Sequence, residues 1–411
     1  MSESTTTGLP VEHADHVLPQ GEQEHWSGVF AMTLCVFTLI ASEFMPVSLL
    51  TPIANALRVS EGIAGQGIAI SGASAVLTSL FISVLAGNMN RKTLLLGLTV
   101  VMGLSGAVVA LAQDYFTYMI GRGLIGVVIG GFWSLSAAVT MRLVPLVQVP
   151  KALAILNAGN ALAMVLAAPL GAYLGSIIGW RGAFFCLVPV AAITFIWQWG
   201  SLPSLPVETS TEKSDSGFAR AFKVFMPLRR PVVLIGMLAI ATFFMGQFTL
   251  YTYVRPFLES VTRVEVATLS LTLLLIGVTG CIGTLLINRA LAFGFYQTLL
   301  VIPVLMAIIA VALISFGSWV TAVVVLLALW GLVATAAPVG WWAWIPRTFP
   351  MEAEAGGGLM VAVIQLAIAL GSTLGGVLFD VSGYQTTFTA SACLLLVSAI
   401  LVFMTARAEK N

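Results

Sequence analysis

The chain has 411 residues, 59% of them hydrophobic and 9% charged, with a net charge of +1 and a mean hydropathy of +1.02. Soluble domains are about 25% charged, so an ordinary soluble domain is excluded and a polytopic membrane protein is implied. A net charge of +1 suggests no nucleic-acid partner.

Residues 1–26 read as a polar, acidic tail that holds all three histidines, His13, His16 and His25. No basic stretch leads into an apolar one there, so no cleavable signal peptide is expected. Six apolar runs follow, near 27–50, 64–86, 93–112, 115–139, 150–176 and 181–202, as a first bundle over 27–202. A polar connection, 203–231, opens with Pro203-Ser204-Leu205-Pro206 and closes with Arg229-Arg230-Pro231. Six more runs, near 232–257, 265–287, 296–316, 319–345, 356–380 and 384–405, make a second bundle over 232–405, and 406–411 is a short tail. Runs of this length cross the ~30 Å hydrocarbon core as helices. Their continuous hydrophobicity excludes a closed β-barrel, whose strands alternate. The expected fold class is all-α, with twelve transmembrane helices in two pseudo-symmetric six-helix bundles.

Of the 18 Lys and Arg, thirteen fall on the side of the N-terminus, four (Arg58, Arg181, Arg255, Arg263) on the other, and Arg122 lies within a helix. The positive-inside bias places both termini in the cytoplasm. The bundles repeat weakly. Gly171, Gly179 and Phe184 recur 204 residues later as Gly375, Gly383 and Phe388, and Arg142 and Pro145 recur 205 later as Arg347 and Pro350. Parallel repeats relate two halves about an axis along the membrane normal. Cys35, Cys186, Cys281 and Cys393 all lie in apolar runs and read as free core thiols.

The stretch Ala41-Ser42-Glu43-Phe44-Met45-Pro46 puts a carboxylate at membrane depth. A charge there is costly and points to an ion or proton site. Arg122, in the fourth run, and Glu43 each lie about seven residues, roughly 10 Å, from the same membrane face. Equal depth predicts that they meet, Glu43 carrying a proton and Arg122 tuning it; two separately hydrated charges are the alternative. Gly123, Gly126 and Gly130 give the fourth helix a small-residue face for close packing. Trp133, Asn157, Asn160, Gln247, Tyr251, Trp341 and Gln365 could build a ligand site, with rings to stack on a base and amides to bond its edge. Gln247 and Gln365 stand out, because an amide in hydrocarbon needs a partner. There is no Walker lysine motif and no metal-ligand spacing. No ATP-driven pump, enzyme activity, cofactor or metal is therefore expected.

Twelve helices in two sixes resemble the major facilitator superfamily. Gly121-Arg122-Gly123-x-x-Gly126 resembles the arginine motif of its proton-coupled antiporters, Ala168-Pro169-Leu170-Gly171 their fifth-helix motif, and Gly179-Trp180-Arg181 the drug and sugar efflux branch. In the loop after the second helix, Asn90 stands where the family usually has Asp. Glu43-Phe44-Met45-Pro46-Val47-Ser48, Gly131-Phe132-Trp133, Thr252-Tyr253-Val254-Arg255-Pro256 and Val361-Ala362-Val363-Ile364-Gln365 are most similar to the bacterial purine ribonucleoside exporters. The resemblance implies a monomeric antiporter in the inner membrane that exchanges purine nucleosides for protons. Sugar or multidrug export, or ligand sensing without transport, are the other readings.

Overall fold

The computed structural model describes residues 24–87, 89–206, 230–348 and 353–409. Most of the connection 203–231, the tail with His13 and His16, and the last two residues lie outside the described residues. The described residues contain no strand. The first half comprises α1 (Trp26–Leu57), α2 (Glu61–Ala86), α3 (Arg91–Leu111), α4 (Tyr115–Met141), α5 (Val149–Phe185) and α6 (Leu187–Ser201). The second comprises α7 (Pro231–Tyr251), the short α8 (Val254–Phe257), α9 (Val266–Phe293), α10 (Phe295–Phe316), α11 (Val320–Ala334), α12 (Ala337–Thr348) and α13 (Ala353–Ala408).

Short polar side chains start several helices. Ser60, Asn90 and Asp114 accept backbone N–H groups of the first turns of α2, α3 and α4, meeting donors that a helix start leaves open. Asn90 also accepts the Leu205 amide and donates to Ser204 Oγ, so it ties α3 to the start of the connection.

Ten helical stretches are long and apolar enough to cross a membrane. Two of them, Val149–Ser201 and Gly357–Ala408, have 53 and 52 residues, more than twice the ~20 that one crossing needs. Each is broken at a glycine with positive φ, Gly179 (74°) and Gly383 (77°). Eight single and two double stretches give the twelve crossings expected. A second matched pair ends α1 and the turn after α8: Arg58 (φ 56°) and Arg263 (φ 58°), 205 residues apart, are the only non-glycine left-handed residues described. The repeat seen as recurring letters is therefore also a repeat of backbone breaks.

The halves pack through α2 on α13, α5 on α9, and α1 on α8. Glycines set the closest approaches. A Cβ on Gly126 or Gly130 would stand 2.1 or 2.2 Å from backbone oxygens of α2, so α4 and α2 touch backbone to backbone. Gly123 has only ordinary contact there, 3.7 Å to Ser74, and is not needed for this packing. The cysteines are free, but only Cys35 is buried, while Cys186 and Cys393 are exposed on the bundle surface. An apolar run in a membrane can face lipid as well as the core, which hydropathy does not separate. Large apolar side chains such as Val381 (79% exposed) face outward for the same reason.

Candidate functional site

Pro46 lies inside α1. It has no N–H, so the carbonyl of Ser42, four residues earlier, loses its helical partner. In hydrocarbon no water replaces that partner, and the freed group must be met from a neighbouring helix. Arg122 meets it from α4. Its Nη1 donates to Ser42 O at 2.7 Å, Nη2 to Glu43 O at 3.1 Å and Ser71 Oγ at 3.3 Å, and Nε to Gly67 O at 3.0 Å. The side chain is fully buried. None of these four acceptors is a carboxylate. The side-chain ion pair expected between Glu43 and Arg122 is thus replaced by a clamp on the backbone of the Glu43 turn. The freed carbonyl lies where the planar guanidinium can reach several oxygens at once.

The same device recurs at Pro52, which frees the carbonyl of Ser48. Nη1 of Arg255, on α8 in the other half, donates to that oxygen. Arg255 is 5% exposed and is also paired with Glu259, Nε to Oε1 at 2.8 Å and Nη2 to Oε1 at 2.7 Å. Loop position alone marks it as a positive charge on the far side; the proline spacing in α1 was the available signal for its partner.

Glu43 is 2% exposed. Its Oε1 accepts one bond, from Gln365 Nε2 of α13, at 3.4 Å. That is long for a bond to a charged group. Gln365 Oε1 is buried without a partner. The next residue, Phe44, stacks on Phe248 of α7 with ring centroids 5.8 Å apart and planes 29° apart. The carboxylate therefore sits on the seam between the halves, touched from both.

Beyond Glu43, towards the end of α1 away from the N-terminus, hydrogen bonds close the seam. Asp380 of α13 accepts from Ser60 Oγ and, at 3.0 Å, from the Gly62 amide at the start of α2. Thr373 Oγ1 donates to Gln66 Oε1 at 3.0 Å. Gly62 would place a Cβ 2.4 Å from both Asp380 and the Gly376 carbonyl, so the helices meet without room for a side chain.

A cavity of about 250 Å³ opens along the seam between α5 of the first half and α7, α9 and α11 of the second. Gln247 and Tyr251 line it, with Phe248 between them. The remaining candidates lie elsewhere. Trp341 is 1% exposed and packs edge-on against Trp344 inside the second half. Trp133 is half-buried against Phe132. Asn157 is exposed and donates back to Leu153 O of its own helix, and Asn160 is half-buried one turn on. Trp330, which is not among these candidates, lines the cavity.

A family model described as Major Facilitator Superfamily matches residues 32–357. Among curated relatives, a protein of Pseudomonas aeruginosa named transcription regulatory protein OpdE is 65% identical over 384 residues, covering 93% of this chain and 94% of its own. The purine ribonucleoside efflux pump NepI of Salmonella enteritidis is 40% identical over 378 residues, covering 92% and 93%. Among solved structures, a bacterial homologue of the human lysosomal transporter Spinster, inward-facing and unoccupied, superposes with a TM-score of 0.71 at 16% identity, covering 93% of this chain and 97% of its own. The paired bundles, the arginine clamp in α4 and these matches together make this chain a membrane transporter of the Major Facilitator Superfamily.

Proposed function

We propose that this transporter exports purine ribonucleosides across the bacterial inner membrane in exchange for protons, with both termini cytoplasmic. The observation that carries the coupling is Glu43. It is a buried carboxylate on the seam, bonded by one long contact from the opposite half and by no cation. Protonation would turn it from an acceptor into a donor and neutralise it, which changes what it can bond across the seam. Arg122 holds the turn that carries it, through bonds to the backbone oxygens of Ser42 and Glu43. Gln247 and Tyr251 belong to the ligand cavity in this reading, while Gln365 serves the carboxylate. In this reading the contacts of Asp380 and Arg255 lie on the outer side of the seam. Export then needs a second state in which the contacts of Asp380 and Arg255 part.

The nucleoside substrate rests on the relatives named as nucleoside efflux pumps, with which this chain shares 40% identity over nearly its whole length. The regulatory name of the Pseudomonas relative is not carried over. The family match and the membrane-spanning helices support transport and not regulation of transcription. Uptake of radiolabelled inosine into everted vesicles tests both parts. Wild type should accumulate inosine only with an imposed pH gradient, and Glu43→Gln should equilibrate it without accumulating it. Accumulation by Glu43→Gln equal to wild type removes the proton assignment; no inosine flux in wild type removes the substrate.

A further inference from the structure

We infer that Gln365 is the positioning residue that registers the proton on Glu43: its amide donates to the carboxylate and, turned by half a rotation, accepts from the protonated acid. This deepens the proton-exchange reading and rests on it. Gln365 Nε2 of α13 supplies the one hydrogen bond described for the Glu43 carboxylate, at 3.4 Å. The two side chains are 8% and 2% exposed, so bulk water does not stand in for this contact. Gln365 Oε1 has no partner among the described residues. Nothing else therefore fixes which way the amide faces, and turning it about its last bond breaks only the contact with Glu43. That torsion is soft and roughly two-fold, and the turn brings the amide oxygen to the same contact. A charged carboxylate can only accept, whereas a protonated one has an O–H to donate. An amide carries a donor and an acceptor at equal reach and meets either form. Lys or Arg could meet only the charged form, and an apolar residue neither. The proton is taken from water and returned to water; between the two side chains only the hydrogen bond changes sense.

The charged and titratable groups that face this part of α1 are engaged elsewhere. From α4, the Arg122 guanidinium is taken by four other oxygens, and Tyr118 packs edge-on against Trp180. From α8, Arg255 bonds Ser48 O and is paired with Glu259. Ser71 of α2 is already bonded, and α7 presents Phe248 with Tyr251 edge-on behind it. Between Lys151 and Arg181, α5 carries only the exposed Tyr173 as a titratable side chain, and α6 carries none. Gln365 is also the first of a row on α13. Thr373 and Asp380, eight and fifteen residues on, bond Gln66 and the Ser60–Gly62 turn of α2. At 3.6 residues per turn the three lie within about 80° on one face and span about 22 Å. A Cβ on Gly72 of α2 would stand 2.8 Å from Gln365 O, so α13 rests on the first half there with no side chain between. The amide thus sits on the helix whose other cross-half bonds close the seam.

The experiment is infrared difference spectroscopy, acidic minus neutral pH, on purified full-length protein in detergent. The carbonyl band of protonated Glu43 is the one that Glu43→Gln removes. Wild type should also show a glutamine side-chain amide band that changes with the same pH midpoint. Gln365→Met, similar in length but with no N–H or carbonyl in its side chain, should lose that band. In the same variant the Glu43 carbonyl band should move to higher frequency, as it does when an acid loses a hydrogen bond. A Gln365 that only packs the helices moves neither band with pH. The inference is overturned if the Glu43 band appears but no glutamine band titrates with it, or if Gln365→Met leaves the Glu43 band in place. Should Gln365→Met fail to fold, Gln365→Asn, one carbon too short to reach, takes its place with the same expected outcomes for the Glu43 band. No band removed by Glu43→Gln means that Glu43 does not titrate, which overturns the proton reading itself, and this inference with it.

Discussion

Arg122 is explained above by a proline, and that explanation makes a quantitative prediction. Arg122→Lys keeps the positive charge but has one ammonium for the four oxygens that the guanidinium now reaches. A hydrogen bond to a charged group contributes about 1.5–3 kcal/mol, so losing the Ser42 carbonyl and part of the rest should cost about 3 kcal/mol. Pro46→Ala gives the Ser42 carbonyl an amide in its own helix. In that background the bond from Arg122 to Ser42 is redundant, and the cost of Arg122→Lys should fall by about 1–2 kcal/mol. Reversible unfolding in mixed dodecylmaltoside–SDS micelles, followed by circular dichroism, gives the four stabilities of the cycle. Costs that agree within about 0.5 kcal/mol in the two backgrounds would refute the idea that Arg122 is there for the carbonyl that Pro46 frees.

Asp380→Asn should weaken the closure at the end of the seam away from the N-terminus, since it accepts from both Ser60 and Gly62. Spin labels at Ala56 and Glu265 should then show a longer distance population that wild type lacks, and an unchanged distribution counts against Asp380 as a closing contact. Gly62→Val should act in the same direction and more strongly, because a Cβ there meets Gly376 O at 2.4 Å. Outside the membrane, Asp114 accepts from the Thr117 amide at 2.9 Å and its hydroxyl at 2.8 Å, and these bonds hold its carboxyl below the usual aspartate value of 3.8. A lowered value in the fold means stability that is present above that pH and lost as pH falls through the folded value. The melting-temperature advantage of wild type over Asp114→Asn should therefore shrink as the buffer is taken from pH 5 to pH 3; an advantage that does not change with pH argues against the cap.

The length and continuity of the apolar runs determined the membrane class and the twelve crossings, because crossing a bilayer depends on how many apolar residues stand in line. The spacing of Gly179 and Gly383 was legible for a related reason: a chain that turns sharply between two crossings needs a positive φ, and glycine is the residue that adopts it freely. Depth was legible too, so Glu43 and Arg122 could be placed level with one another. What stands beside what was not. Equal depth suggested a carboxylate–guanidinium pair, yet the tertiary structure gives the guanidinium to backbone oxygens and leaves the carboxylate to Gln365, because azimuth around a helix is set by packing that no single helix encodes. Prolines 46 and 52 did mark two orphaned carbonyls in the sequence, but nothing local said that one donor would come from α4 and the other from the opposite half. Trp341 read from the sequence as a ligand residue, yet the packing of α12 put it against Trp344 in the core, while Trp330 of α11, not singled out in the sequence, lines the cavity. Hydropathy reports transfer out of water, which is the same for a side chain facing lipid, core or ligand, and the assembled helices decide among the three.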